Sequence, residues 1–204
     1  MKKKKPLYII LFLLIASGIT MFFVLEKKPK YLPCPVLKDG ETMDVILLPS
    51  LYASNSASYT VMYVKWHEQC VDAWLNEDGM PVVRYDRETL KQEYERVYDI
   101  LMREVNNSEN DKIKMKVSYD YSELYMYISD GADIENFAWS GMVAPRACLN
   151  LRLLQGLSPE EATVEVIYIY EPNGKELLRI DEKTHDFHMN QEQWEKLLEE
   201  ARQG

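Results

Sequence analysis

Residues 7–25, LYIILFLLIASGITMFFVL, run for nineteen positions without one charge, fenced by Lys2, Lys3, Lys4 and Lys5 before and by Lys27, Lys28 and Lys30 after. At about 1.5 Å per residue, a helix of that length covers roughly 28 Å, close to the hydrocarbon thickness of a bilayer. A charge inside the run would cost roughly 2.5–3.5 kcal/mol on insertion, and there is none. Residues 7–25 are therefore expected to form one transmembrane signal-anchor helix, with residues 1–6 as a basic tail before it. The alternative is a cleaved secretory signal, with residues 7–15 as its apolar region and Ala16-Ser17-Gly18 at the cleavage point. Cleavage there would leave the sticky segment 19–25 at the new N-terminus, which favours the anchor. A lipoprotein does not fit, because Cys34 follows Pro33 and lies well beyond the apolar run.

The lysines flanking the run are nearly balanced, so orientation turns on the charge of the remaining chain. Residues 1–30 hold seven lysines and one glutamate, a net of +6; subtracting this from the whole-chain −9 leaves −15 for residues 31–204. A short basic tail and a strongly acidic trailing domain place that domain outside the cytoplasm, single-pass at the cell membrane, or secreted if the signal is cleaved. The charge argues against a nucleic-acid partner, since phosphate binding runs on Lys and Arg. It also opposes an anionic membrane surface.

The expected fold class is α+β: residues 26–41 as a Pro-rich linker, then one domain at 42–204 with a mostly antiparallel sheet and three to five helices. Fourteen tyrosines and four tryptophans supply packing groups for it. Residues 42–49 and 58–66 have strand character, and 67–76 reads as a short helix. Residues 82–85 read as a strand. Asp86 then caps a helix in which Leu90, Tyr94, Val97, Leu101 and Val105 share a face, with Lys91–Glu95 and Asp99–Arg103 pairs on the wet side.

A hairpin comes next: Ile113, Met115 and Val117 alternate with lysines, and Leu124, Met126 and Ile128 alternate with Tyr125 and Tyr127. A helical turn is expected at 133–139 and a separate helix at 145–155, started by Pro145 and stopped by Gly156. Ser158-Pro159-Glu160-Glu161 has a helix-start pattern with room for one turn only. Residues 163–171 are apolar on both faces, as in a central strand, and Pro172-Asn173-Gly174 turns the chain back through 175–181. Asn190 caps a last helix with Trp194, Leu197, Leu198 and Ala201 on one face. Glu199 and Glu200 sit at its C-terminal end, where the helix dipole disfavours acids, so fraying is expected there.

Motifs that carry chemistry are missing: the sequence has no GxSxG, no GxxxxGK[ST], no GxGxxG and no HExxH. No cofactor is implied. His185 and His188 bracket Asp186 and are candidate metal ligands, against the plainer reading of an exposed connector. Asp130, Asp133 and Glu135 surround a glycine and suit a hard cation, although a turn running into a helix explains the same acids. Lys112, Lys114 and Lys116 make a basic stripe beside Tyr125 and Tyr127, where an acidic peptide of a partner could lie; an edge kept soluble by lysines is the alternative. Of three cysteines, Cys70 and Cys148 are the candidate disulfide pair, since both fall within the domain; inert thiols are the alternative.

These features point to a membrane-anchored, non-enzymatic protein-binding or envelope-assembly module. The alternatives are an anchored hydrolase or metal-dependent enzyme, and an acidic inhibitor or immunity-type protein.

Overall fold

The computed structural model describes residues 30–51, 56–67, 69–108, 112–132, 134–181 and 191–203, with the backbone alone for 134–142 and 191. The segment 7–25, Asp133, His185 and His188 lie outside the described residues, as does the side chain of Glu135. No helix among the described residues is long and apolar enough to cross a membrane. The fold is α+β, with two sheets and four helices among the described residues.

The first sheet has the order β1-β3-β2 (β1, Thr42–Ile46; β2, Asp72–Leu75; β3, Pro81–Asp86), all antiparallel. Val45, Val83 and Ala73 stand opposite one another and are buried. Asn76 makes the β2–β3 turn by accepting from the backbone N–H of Asp78 at 3.1 Å and of Met80 at 2.8 Å, an Asx arrangement that the side chain supplies locally.

The expected strand at 58–66 is instead helix α1, Ala57–His67. Its β-branched and aromatic composition misleads, but Ser56 starts the helix: its Oγ accepts from Tyr59 N at 3.4 Å and its carbonyl from Thr60 N at 2.9 Å. Thr60 and Val64, four apart, are the residues it buries. The helix expected across 67–76 is corrected to strand β2, because pairing with β3 outweighs the local pattern.

Helix α2, Arg87–Ser108, begins where expected. Asp86 Oδ1 accepts from Glu88 N at 3.1 Å and Thr89 N at 2.9 Å, and Thr89 Oγ1 accepts in return from Asp86 N at 3.0 Å. Bonds from Thr89, and then from Glu88, hold the Asp86 carboxyl below its usual range. The predicted apolar ladder from Leu90 to Val105 is buried throughout. Lys91 and Glu95 stand 3.7 Å apart as expected, while Arg103 lies 3.6 Å from Glu104 rather than beside Asp99.

The second sheet has the order β4-β5-β6-β7 (β4, Ile113–Val117; β5, Glu123–Ile128; β6, Glu165–Tyr170; β7, Lys175–Asp181). Two antiparallel hairpins lie side by side, and the central pair β5–β6 is parallel. A parallel neighbour needs a long crossover, and helix α3, Ile134–Leu154, supplies it. One continuous helix thus replaces the two short ones expected at 133–139 and 145–155. Proline ordinarily breaks a helix by removing a donor and crowding the preceding turn, but Pro145 is itself buried, and Ala144, Ala147, Cys148 and Leu149 around it join the core. Gly156, with φ +85°, ends the helix as predicted. Ser158 and Glu161 make the expected single turn as a reciprocal cap.

Helix α4, Gln191–Gln203, carries Trp194, Leu198 and Ala201 on its buried face. Its C-terminal end is capped rather than frayed: Lys175 Nζ donates to Glu200 O at 2.9 Å and Asn173 Nδ2 to Ala201 O at 2.8 Å. Side chains of the β6–β7 turn therefore satisfy carbonyls that the helix leaves open.

The four helices and one face of each sheet share a single core cluster, which includes Leu101, Met126, Leu151, Tyr168 and Trp194. The segment 31–41, part of the Pro-rich linker expected at 26–41, belongs to this body. Tyr31 is buried, stacking on Tyr121 with ring centroids 6.0 Å apart. Leu32 N donates to Tyr119 O at 2.7 Å, and Gln155 Nε2 donates to Pro33 O at 2.9 Å. Apolar contact and satisfied backbone groups outweigh the extended proline-rich character here. Cys34 within this strap is half-buried, and its thiol is pushed up to about 11 by burial and by Glu95. None of the three cysteines takes part in a disulfide, so the Cys70–Cys148 bridge is not formed.

Candidate functional site

Strand alternation sends Leu124, Met126, Ile128, Val166, Tyr168 and Tyr170 into the core and leaves the other face of the second sheet to different residues. Across that outer face, Lys116, Tyr125, Ile167 and Arg179 form one row. Lys114, Tyr127, Ile169 and Glu176 form the next, with a bulge at Tyr168/Ile169. Four of the five predicted partner-binding residues, Lys114, Lys116, Tyr125 and Tyr127, thus come together. Lys112 is drawn off, its Nζ donating to Gly131 O at 2.7 Å.

Most of the charges on this face are already paired. Arg179 bridges Glu165 at 2.5 Å and Glu176 at 3.1 Å. Lys114 pairs with Glu171, and Lys116 Nζ sits 4.7 Å over the Tyr127 ring. Tyr125 donates its hydroxyl proton to Glu123, which pushes the Tyr125 phenol up. Between these pairs lies an apolar centre of Tyr125, Tyr127, Ile167 and Ile169. Ile167 is only 2% exposed although it stands outside the core cluster. The apolar character of residues 163–171 on both faces is the sequence signal for this centre, but by itself it points to a central strand and not to a surface.

At the carboxyl end of the parallel pair, Asp130 is held by Tyr170 and α4. Its Oδ1 accepts from Tyr170 OH at 2.8 Å and from Arg202 Nε and Nη2 at 3.1 and 2.9 Å. The Tyr170 hydrogen bond first, and Arg202 second, keep the Asp130 carboxyl below its ordinary value. Asp130 thereby ties α4 to the sheet, a different task from holding a hard cation. Among the described residues no three His, Cys, Asp or Glu side chains converge as a ligand set. An open groove of about 750 Å³ beside this corner is lined by Gly131, Ala132, Glu195, Leu198, Glu199 and Arg202.

The Asp130 tie has a definite pH dependence. A carboxyl whose folded pKa lies below its unfolded value stabilises the fold above the unfolded value, about 3.9, and loses that contribution as pH falls through the folded one. Asp130→Asn is expected to lower stability at neutral pH and to flatten the acid limb of the stability profile below about pH 4. Urea titrations of both proteins between neutral and acid pH check this.

Compared with protein-family models, curated proteins and solved structures, the chain matches none.

Proposed function

We propose that the chain is a membrane-tethered, non-enzymatic protein-binding module, held outside the cytoplasm by residues 7–25, which docks a partner on the outer face of the β4–β7 sheet. The observation that carries this reading is the part-exposed apolar patch of Tyr125, Tyr127 and Ile169, backed by buried Ile167, inside a rim of mostly self-paired charges. Aromatic and aliphatic anchors surrounded by a polar rim are the anatomy of a recognition surface. Because most of the rim charges neutralise one another, the partner is recognised by shape and apolar area more than by charge. A single-pass tether would confine the module near that partner and raise its effective concentration.

The test places a photo-crosslinking phenylalanine analogue at Tyr127 of the full-length protein in its native membrane. One discrete adduct is expected, lost when Ile169→Lys is added and retained at about 1 M salt, where the Debye length falls to about 3 Å. Loss of the adduct in salt would instead favour an acidic inhibitor-type contact. Absence of any adduct at Tyr127, with adducts forming from the same analogue at exposed Tyr119, overturns the reading.

A further inference from the structure

Helix α1 is apolar on two opposite sides. Thr60 and Val64 face the core, while Tyr59, Met62, Tyr63 and Trp66 fall within one outward arc at i, i+3, i+4 and i+7. Trp66 is 72% exposed, and Tyr59 and Met62 are more than a third exposed. The rings of Tyr59 and Tyr63 lie 6.1 Å apart, and those of Tyr63 and His67 4.6 Å apart. Clustered exposed apolar residues mark a contact surface.

We infer that this arc rests in the head-group region of the bilayer that residues 7–25 enter, so that α1 is an interfacial helix. The inference rests on the tethered reading proposed for residues 7–25. Composition selects a lipid surface as the occupant. The arc is Trp, Tyr, Tyr and Met, amphipathic rings and an aliphatic chain of the kind that settle at the membrane–water boundary.

Charge agrees locally. On a body carrying −15, α1 has Lys65 and His67 in its last turn and no carboxylate. Lys65 pairs with Asp72 at 3.2 Å, so the helix presents little net charge to a zwitterionic surface.

Reach agrees too. Because Tyr31 is packed into the domain, only residues 26–30 separate it from the apolar run. Six residue steps span at most about 20 Å, so the domain is held close to the lipid and cannot stand off on a long stalk.

The experiment reconstitutes the full-length protein in phosphatidylcholine vesicles, with and without lipid brominated near the head-group end of an acyl chain. Flotation of the protein with the vesicles after alkaline extraction reads the tether. Quenching of tryptophan emission by the bromolipid reads the helix. Wild type is expected to float and to be quenched, with most of the quenching lost in Trp66→Phe and also in Met62→Glu, which keeps the tryptophan but puts a charge in the arc. A protein that floats but is quenched equally in wild type and Trp66→Phe overturns the interfacial helix and leaves the tether standing. A protein that fails to float overturns the tether, and the inference with it.

Discussion

Replacing Trp194 by alanine is expected to destabilise the domain by about 3–5 kcal/mol, the range for truncating a buried large aromatic. Against a total of about 5–15 kcal/mol for a domain, that is a loss of a third or more of the stability in most cases. The size reflects how α4 is held. A short, highly charged helix is marginal by itself in water, and α4 reaches the core through Trp194, Leu198 and Ala201 alone on its fully buried face. Trp194 is wholly buried and is the largest of these. Asp130 to Arg202 and the caps from Lys175 and Asn173 are exposed or polar attachments. They position the helix but cannot replace the lost area. Urea denaturation should show a lower midpoint at nearly unchanged slope, whereas Glu199→Ala at the exposed face should move it by less than about 0.5 kcal/mol. A Trp194→Ala shift as small as that of Glu199→Ala would mean that α4 contributes little to the fold.

How much of this architecture is legible in the residues depends on whether the deciding interaction is local. Helix α2 is legible because its cap at Asp86 and its apolar spacing act within the helix itself. The hairpins β4–β5 and β6–β7 are legible for the same reason: alternation defines β4 and β5, and a continuous apolar run followed by the Gly174 turn defines β6 and its return. Helix α1 is not, because its Tyr, Thr and Val residues favour a strand, against the Ser56 cap and burial of Val64 that favour a helix. Strand β2 fails in the opposite sense, its fate being set by β3 rather than by its own four residues. Pro145 hides the continuity of α3, since the burial that holds the helix together is a tertiary fact.

The outer sheet face divides in the same way. Lys114, Lys116, Tyr125 and Tyr127 are found from alternation within a single hairpin. Ile167, Ile169 and Arg179 reach the face only through the β5–β6 register, which no pattern within either hairpin encodes. Asp130 illustrates a different limit. Its acidity is plain in the sequence, but its partners Tyr170 and Arg202 come from 40 and 72 residues further on. Nothing in the residues around Asp130 therefore marks it as a tether for α4.

Tyr121→Ala is expected to cost about 3–5 kcal/mol as well, and to do so by releasing the strap at 31–33. Tyr121 is fully buried and is the one non-glycine among the described residues with positive φ, +62°. Its ring stacks on Tyr31, and its hydroxyl lies 2.9 Å from both Leu32 O and the Tyr94 hydroxyl. Tyr94 also donates to Leu32 O, and Gln155 donates to the Tyr94 oxygen at 3.2 Å. Two hydroxyl protons are thus shared over three contacts, so Tyr121→Phe leaves Leu32 O with Tyr94 and should cost only about 1 kcal/mol. Amide exchange separates the two variants: the Leu32 N–H, bonded to Tyr119 O, should exchange faster in Tyr121→Ala and near the wild-type rate in Tyr121→Phe. Burial, and then the bond with Tyr94, raises the Tyr121 phenol above its ordinary value. A raised folded pKa gives a contribution that is complete below the unfolded value near about 10 and is lost as pH rises from there. Wild type should therefore weaken above about pH 10 with a steeper slope than Tyr121→Phe. Equal alkaline slopes, together with unchanged Leu32 exchange in Tyr121→Ala, would show that the strap is held without this tyrosine.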